Sequence, residues 1–362
     1  GLGAAFMVPG SMTLISRAYP RTERGAALGV WSSASTATTA FGPVLGGLLL
    51  TVGGPDVWRV IFILNLPLGL ATLWLLYRYT MPDKGRPGTP VDLGGAVLAT
   101  SGLGLLAWSM TSEANPLPLF AAALVTLALF LFWETRHSAP MIRLAMFRNH
   151  AFAAANLATL LLYTGIIGIM FYLPMTAISV WHISEFGVTA AFLPTSVMIA
   201  LLSARAGRLA DRVGPGPLMA VGAAIVAIGY AAIAVYAHEA RFYSHTVPFM
   251  FVVGFGLALL VAPLTAAVMA NAAESEQGAA SGINNAMARV AGLIGVALMG
   301  RIAAWSYGEI TGSRLGFGLK GTDPAHVLAT STAFAHIAAF SAALALASAI
   351  VSAVWLSRKP AN

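Results

Sequence analysis

The sequence has no cysteine. A disulfide framework, thiolate chemistry and any Cys-based metal site are therefore excluded. Charge is nearly as scarce: only 9% of the 362 residues are Asp, Glu, Lys or Arg, against about 25% in an ordinary soluble protein. Hydrophobic residues make up 58%, and the mean hydropathy is +0.80. A soluble domain of this size could not cover its surface with so few charges. That excludes a soluble enzyme, a nucleic-acid binder and a disordered chain together. The net charge of +7 is no argument for nucleic acid, because Lys and Arg placement in membrane chains reports orientation. No G-x-x-x-x-G-K-[ST] loop is present, which argues against ATP-driven export. No His/Glu cluster has metal-ligand spacing. Neither a cofactor nor a metal is expected. The chain begins at Gly1 with no basic segment or cleavage site after it, so the expectation is that the true N-terminus lies upstream.

What is present is a series of long apolar runs. A bilayer-spanning helix needs about 20 mostly apolar residues. Eleven runs qualify, at 1–16 (apparently cut short), 25–50, 57–77, 91–112, 116–134, 151–174, 184–204, 217–237, 245–269, 277–304 and 331–356. The loops between them are too short for a soluble domain; the longest, about 305–330, is Gly-rich.

The few cations alternate. Loops 17–24, 78–90, 135–150 and 205–216 each carry three Lys or Arg, and the three loops between them carry none. By the positive-inside rule the basic loops are cytoplasmic. The tail with Arg358 and Lys359 then falls inside, and the visible N-terminus outside. Arg241, Arg301, Arg314, Lys320 and the acidic loop at Glu274 and Glu276 depart from the pattern; four regular alternations outweigh them.

The second run is the most informative. Ala34, Thr38, Gly42 and Gly46 form one row of small residues, and Ser35, Thr39, Pro43 and Gly47 a parallel one. At 3.6 residues per turn the two rows make a single flat face. Lipid gives no hydrophobic drive to helix association, so close packing of such faces supplies it. Pro43 removes a backbone hydrogen bond and favours a kink. The face reads either as a tight structural contact or as a sliding seam between two conformations.

Gly42-Pro43-x-x-Gly46-Gly47, preceded by Glu23-Arg24-Gly25 through Trp31 and followed by Trp58-Arg59 through Asn65-Leu66-Pro67-Leu68-Gly69, resembles the antiporter motif and its flanks in the fourteen-helix drug:proton antiporter branch of the major facilitator superfamily. The opening Gly1 through Pro9 is similar to that branch's fourth helix. The resemblance implies an all-α polytopic membrane protein of the major facilitator fold, with the eleven runs as helices four to fourteen. It divides the chain into 1–77, the last three helices of the first six-helix half; 78–150, a linker with an extra transmembrane hairpin starting at Asp92-Leu93-x-Gly95; and 151–362, the second six-helix half.

The same resemblance extends to Gly207-Arg208-Leu209-Ala210-Asp211-Arg212-Val213-Gly214, similar to the superfamily's cytoplasmic loop motif. Asp211, close to Arg208 and Arg212, would join a charge relay that latches one conformation; the alternative is a turn anchored in headgroups by its arginines. Gly207 and Gly214 suit a tight turn either way. The stretch with Asn284, Asn285 and Arg289 resembles the branch's thirteenth helix, with Asn284 and Arg289 matching its pattern and Val290 standing where the family often has Gln. The three polar residues read as helix–helix hydrogen-bonding groups or as groups at a cytoplasmic mouth or cavity. In the ninth and tenth helices three positions depart from the family: Ile178 stands for a Gln, Glu185 for a Pro and Thr189 for a Gly, all near the outer end of the pathway, which bears on substrate class.

Secondary transporters couple to protons through a carboxylate inside the membrane. None sits near the middle of these runs; the resemblance puts it in the first helix. His336 reads as an interfacial, hydrogen-bonded histidine or a proton shuttle. Phe152, Tyr163, Phe171 and Tyr172 read as packing and lipid-facing residues or as the lining of an aromatic drug cavity. Together these readings imply an exporter of small hydrophobic or amphipathic compounds in exchange for protons, working by alternating access. The expected partners are that small molecule, protons and the lipid bilayer, with a membrane-fusion partner protein left unidentified. The expected location is a bacterial cytoplasmic membrane with the C-terminus inside. The alternatives are an importer or narrow-specificity metabolite exporter of the same fold, or a non-transporting membrane subunit. No constellation of His, Asp or Glu at one depth suggests a membrane-embedded enzyme, and no filter signature suggests a channel.

Overall fold

The structure is a computed structural model. It describes residues 57–80, 92–111, 117–271, 277–313 and 316–356, with positions 14, 38, 42, 45–50, 52 and 53. Among them every regular element is helical. In chain order they are α1 (Trp58–Ile63), α2 (Asn65–Tyr79), α3 (Leu93–Thr111), α4 (Leu117–Arg136), α5 (His150–Ser179), α6 (Glu185–Val213), α7 (Pro215–Tyr236), α8 (Val247–Ala270), α9 (Gln277–Thr311) and α10 (Pro324–Val351). Among the described residues, seven helical segments are long and apolar enough to cross a membrane. They correspond to the runs expected from 116–134 onward. The 91–112 run is the shorter apolar helix α3. The 57–77 run is two helices meeting at Leu64. The cause is Pro67, which has no N–H to give the Ile63 carbonyl. The 1–16 run and most of 25–50 lie outside the described residues.

Helices α5 to α10 form one bundle. α7 packs on α8 and α10, α5 on α9 and α10, and α6 mainly on α8. Small residues set the separations. A Cβ on Gly222 of α7 would lie 2.7 Å from the Gly256 carbonyl oxygen of α8, and one on Gly256 would lie 2.6 Å from that of Gly222. Backbone meets backbone there, the close approach that membrane helices use instead of hydrophobic drive. Polar side chains add directional contacts between helices. Tyr172 of α5 donates to the Val296 carbonyl of α9 at 2.7 Å. Ser348 of α10 donates to the Ala158 carbonyl of α5 at 3.1 Å. Trp181 Nε1 donates to Ser331 Oγ at 3.0 Å.

The helix ends follow local chemistry. Asn149 accepts from the Ala151 and Phe152 amides and Ser184 from that of Gly187, so each fills an N-cap. At Gly214, φ is +86°. This single residue ends α6 and is followed at once by Pro215 at the start of α7. The left-handed backbone there favours glycine.

The hairpin α3–α4 is stitched at the end nearest α5. Asp92 Oδ1 accepts from the Gly95 amide at 2.7 Å and from Trp133 Nε1 at 2.9 Å. Glu134 Oε2 accepts from the Ile142 amide at 2.7 Å. A Cβ on Gly95 would meet Asp92 Oδ2 and Glu134 Oε1, which explains the Asp-Leu-x-Gly pattern at the start of the hairpin.

Candidate functional site

A cavity of about 720 Å³ lies between the 46–50 segment and helices α5, α6, α7 and α8. Gly46, Gly47 and Leu50 form one wall; Tyr163, Ile169, Met170, Pro174 and Ile178 of α5 form another. Glu185 through Ile199 of α6 run along its length, a span of roughly 20 Å at 1.5 Å per residue. Pro174 leaves the Met170 carbonyl without its intrahelical donor, and both residues line the cavity. The lining is largely apolar, and the volume falls within the roughly 300–1,000 Å³ of small-molecule sites.

The antiporter-motif glycines divide. Gly42 has nothing within 4 Å of an added Cβ. Gly46 and Gly47 reach the cavity. Gly47 is buried, and a Cβ on it would lie 2.6 Å from Thr189 Oγ1 and 3.0 Å from Thr189 Cβ on α6. Pro43 lies outside the described residues. Of this face, Gly47 is thus the position that meets α6.

Ile178, Glu185 and Thr189, the three departures noted in the ninth and tenth helices, all line this cavity. Glu185 is the one charged lining residue among those described. Thr189 Oγ1 donates to the Glu185 carbonyl at 2.7 Å, and Thr195 Oγ1 to the Met250 carbonyl of α8 at 3.1 Å. The aromatic residues singled out from sequence separate. Tyr163 lines the cavity, Phe152 is fully buried in the bundle core, Tyr172 is buried with its hydroxyl bonded to α9, and Phe171 is exposed. Sequence reasoning missed Tyr230, Phe192, Thr195 and Ser196. The available signal for Tyr230 was that it is the single polar side chain between Pro217 and Val235 of α7.

The other sequence-derived positions stand apart from the cavity. Asn284 Nδ2 donates to Thr159 Oγ1 at 2.8 Å and to Asn156 Oδ1 at 3.3 Å, joining α9 to α5. Asn285 and Arg289 lie on an exposed face of α9. Gly207 sits in ordinary contact with Ala262 of α8. Arg208 and Arg212 are exposed at the last turns of α6, and the Asp211 side chain lies outside the described residues. His336 is exposed and hydrogen-bonded through Nδ1 to Ser306 Oγ at 2.7 Å. Among the described residues no group of three His, Cys, Asp or Glu could hold a metal.

Comparison with known proteins agrees with this architecture. The family model described as Major Facilitator Superfamily matches residues 1–296 and 155–362. The multidrug resistance protein Stp of Mycobacterium tuberculosis is 30% identical over 315 residues, 84% of this chain and 58% of that protein. The tetracenomycin C resistance and export protein of Streptomyces glaucescens is 28% identical over 318 residues, 86% of this chain and 58% of that protein. The methylenomycin A resistance protein of Bacillus subtilis is 27% identical over 329 residues, 89% of this chain and 70% of that protein. The chain thus spans 58% of the length of the first two. An all-helical chain of apolar spans, with small-residue helix contacts and an apolar cavity beside its glycine face, is an integral membrane protein, and it belongs to the major facilitator superfamily.

Proposed function

We propose that this chain belongs to a secondary active exporter of small hydrophobic or amphipathic compounds, driven by proton exchange and working by alternating access. The observation that carries the reading is the apolar cavity of about 720 Å³ walled on one side by Gly46 and Gly47 and on the other by α5, α6 and α8. A cavity at the seam between two halves is the place where rocking motion exposes a bound molecule to either side. The resistance proteins to which the chain is similar are named for drug or antibiotic resistance and efflux, which supports the same substrate class.

In this reading residues 1–77 close the first half of the carrier, 78–150 form the linker with its added hairpin, and 151–362 form the second half. The fourteen-helix arrangement, the bacterial cytoplasmic membrane and a cytoplasmic C-terminus belong to the same proposal, supported by the alternating cations of the loops. The face at Gly42, Pro43, Gly46 and Gly47 is the moving seam. Gly207, Asp211, Arg212 and Gly214 form the latch at the basic end of α6, and Asn285 and Arg289 face the mouth at the matching end of α9. The partners are the transported molecule and protons.

The test loads inverted membrane vesicles with the full-length protein and follows uptake of a hydrophobic dye under a proton gradient. Uptake should collapse when an ionophore dissipates the gradient, and uptake unchanged by the ionophore overturns proton coupling. Replacing Gly46 with Leu should abolish uptake at unchanged expression; normal uptake removes the seam. A narrow-specificity exporter is the second reading, favoured by relatives named for a single antibiotic. It predicts uptake of one chemical scaffold rather than several.

A further inference from the structure

Apart from the exposed Tyr236 and Tyr243, the tyrosines of the bundle fall into two classes. Tyr172 and Tyr307 are buried, and both hydroxyls are satisfied by protein. Tyr172 donates to the Val296 carbonyl at 2.7 Å, and Tyr307 pairs with His326 Nδ1 at 2.8 Å. Tyr163 and Tyr230 are different. Tyr230, on α7, is only 2% exposed, and it lines the cavity. Its hydroxyl makes no hydrogen bond among the described residues, yet its oxygen is not among the buried atoms sealed off without a partner. Tyr230 thus carries an unbonded hydroxyl on a residue of the cavity lining. Tyr163, on the α5 wall of the same cavity, likewise has no hydrogen-bond partner among the described residues.

Packing does not account for the two oxygens. A phenylalanine would fill the same ring volume and contact the same neighbours. The rest of the lining includes the apolar Ile169 of α5 and Val253 and Leu257 of α8. A hydroxyl kept in apolar surroundings is costly unless something bonds to it. Small-molecule sites are built this way, with a mostly apolar lining and a few placed polar groups that fix orientation. The Thr189 and Thr195 hydroxyls lining the cavity already donate to backbone carbonyls, so they can only accept from a ligand, whereas the tyrosine hydroxyls can donate as well as accept.

We propose that Tyr230 and Tyr163 are the specificity-determining residues of this cavity, and that its ligand is a mainly apolar ring system carrying a hydroxyl or carbonyl that hydrogen-bonds to their hydroxyls. The proposal rests on the cavity being the binding site of the exporter. Tyr230 and Tyr163 orient the molecule through its one polar substituent, and the apolar wall takes the rest by area alone. An analogue of equal shape without the substituent binds through the wall only.

The experiment uses the full chain in lipid nanodiscs, with empty nanodiscs as blank. The probes are two fluorescent compounds of matched shape, 9-anthracenemethanol and 9-methylanthracene. The expected result is saturable binding of both, with the alcohol tighter. Tyr230→Phe should weaken the alcohol about tenfold, the scale of one net hydrogen bond, and leave 9-methylanthracene unchanged. Tyr163→Phe should act in the same direction. The unchanged hydrocarbon affinity also reports that the variant is folded. Saturable binding of both probes with no preference lost in either variant overturns this proposal and leaves the cavity reading intact. Equal weakening of both probes overturns it too, because the tyrosine would then act through packing. Absence of saturable binding of either probe to the unsubstituted chain overturns the cavity reading and this proposal with it.

Discussion

Helices α2 and α5 are both strongly apolar, yet among the described residues they differ in how much of them is covered. α5 buries sixteen residues, ten of which are Ala, Gly, Ser or Thr. α2 buries none, and its sequence is dominated by Leu, Trp and Tyr. α10 repeats the first pattern, with Ala, Ser and Thr making up eleven of its fourteen buried positions. The hairpin helix α4 leans toward the second: 17% of its most apolar window is buried, against 50% for α5 and α10. Apolarity says that a helix lies in the membrane. The distribution of small residues says which helices touch other helices, because contact in lipid is won by close packing and not by escape from water.

The sharpest way to break this contrast is to enlarge a small residue on each side of it. Gly256→Leu forces a side chain into the Gly222 carbonyl, where only backbone can give way. Overpacking costs about 1–3 kcal/mol, and this contact belongs at the upper end. Thermal unfolding in detergent should show a large loss, and a variant as stable as the parent would undo the packing argument. Next in size is Gly47→Ala, whose added methyl meets Thr189. Thr189 is β-branched and stiff in a helix, so it cannot swing aside freely. Vesicle transport should fall about tenfold, a barrier change of about 1.4 kcal/mol. The double variant Gly47→Ala, Thr189→Gly should recover most of it; failure to recover would mean the contact is not the cause.

Smaller again is Asn284→Ala, which leaves Thr159 and Asn156 without their partner on α9. Interhelical hydrogen bonds in membranes contribute about 0.6 kcal/mol on average and up to about 1.7, and the unfolding midpoint should drop accordingly. Asn285→Ala, one residue along on the exposed face, and Gly69→Leu on α2, with nothing within 4 Å, should each stay within about 0.5 kcal/mol of the parent. A loss at Gly69 equal to that at Gly256 would show that α2 packs against protein after all.

Much of this architecture was legible in the sequence. The apolar runs located the helices of the bundle; the small-residue face was read as a tight contact or a sliding seam, and Gly46 and Gly47 line the cavity. The boundaries shifted where charge was mistaken for a loop. The run expected at 184–204 continues as helix to Val213, because Arg205, Arg208 and Arg212 occupy turns of helix and not a coil. The loop expected at about 305–330 is shorter, since α9 continues to Thr311 and α10 begins at Pro324. Tyr230 was illegible as a site residue for a different reason. Nothing in its own helix distinguishes a hydroxyl aimed at a neighbouring helix from one aimed at a space between helices. That is decided by α5, α6 and α8, which are distant in sequence.

The one-residue joint at Gly214 has a mechanical meaning. A flexible connector would let α6 tilt while α7 stayed in place. Here the last turn of α6, with Arg212, passes through a single left-handed residue into the proline that opens α7. With no loop between the helices, any change in the angle between them has to be taken up at Gly214, whose φ already lies in the region open to glycine. About four turns along α7 from that joint lies Tyr230, in the wall of the cavity.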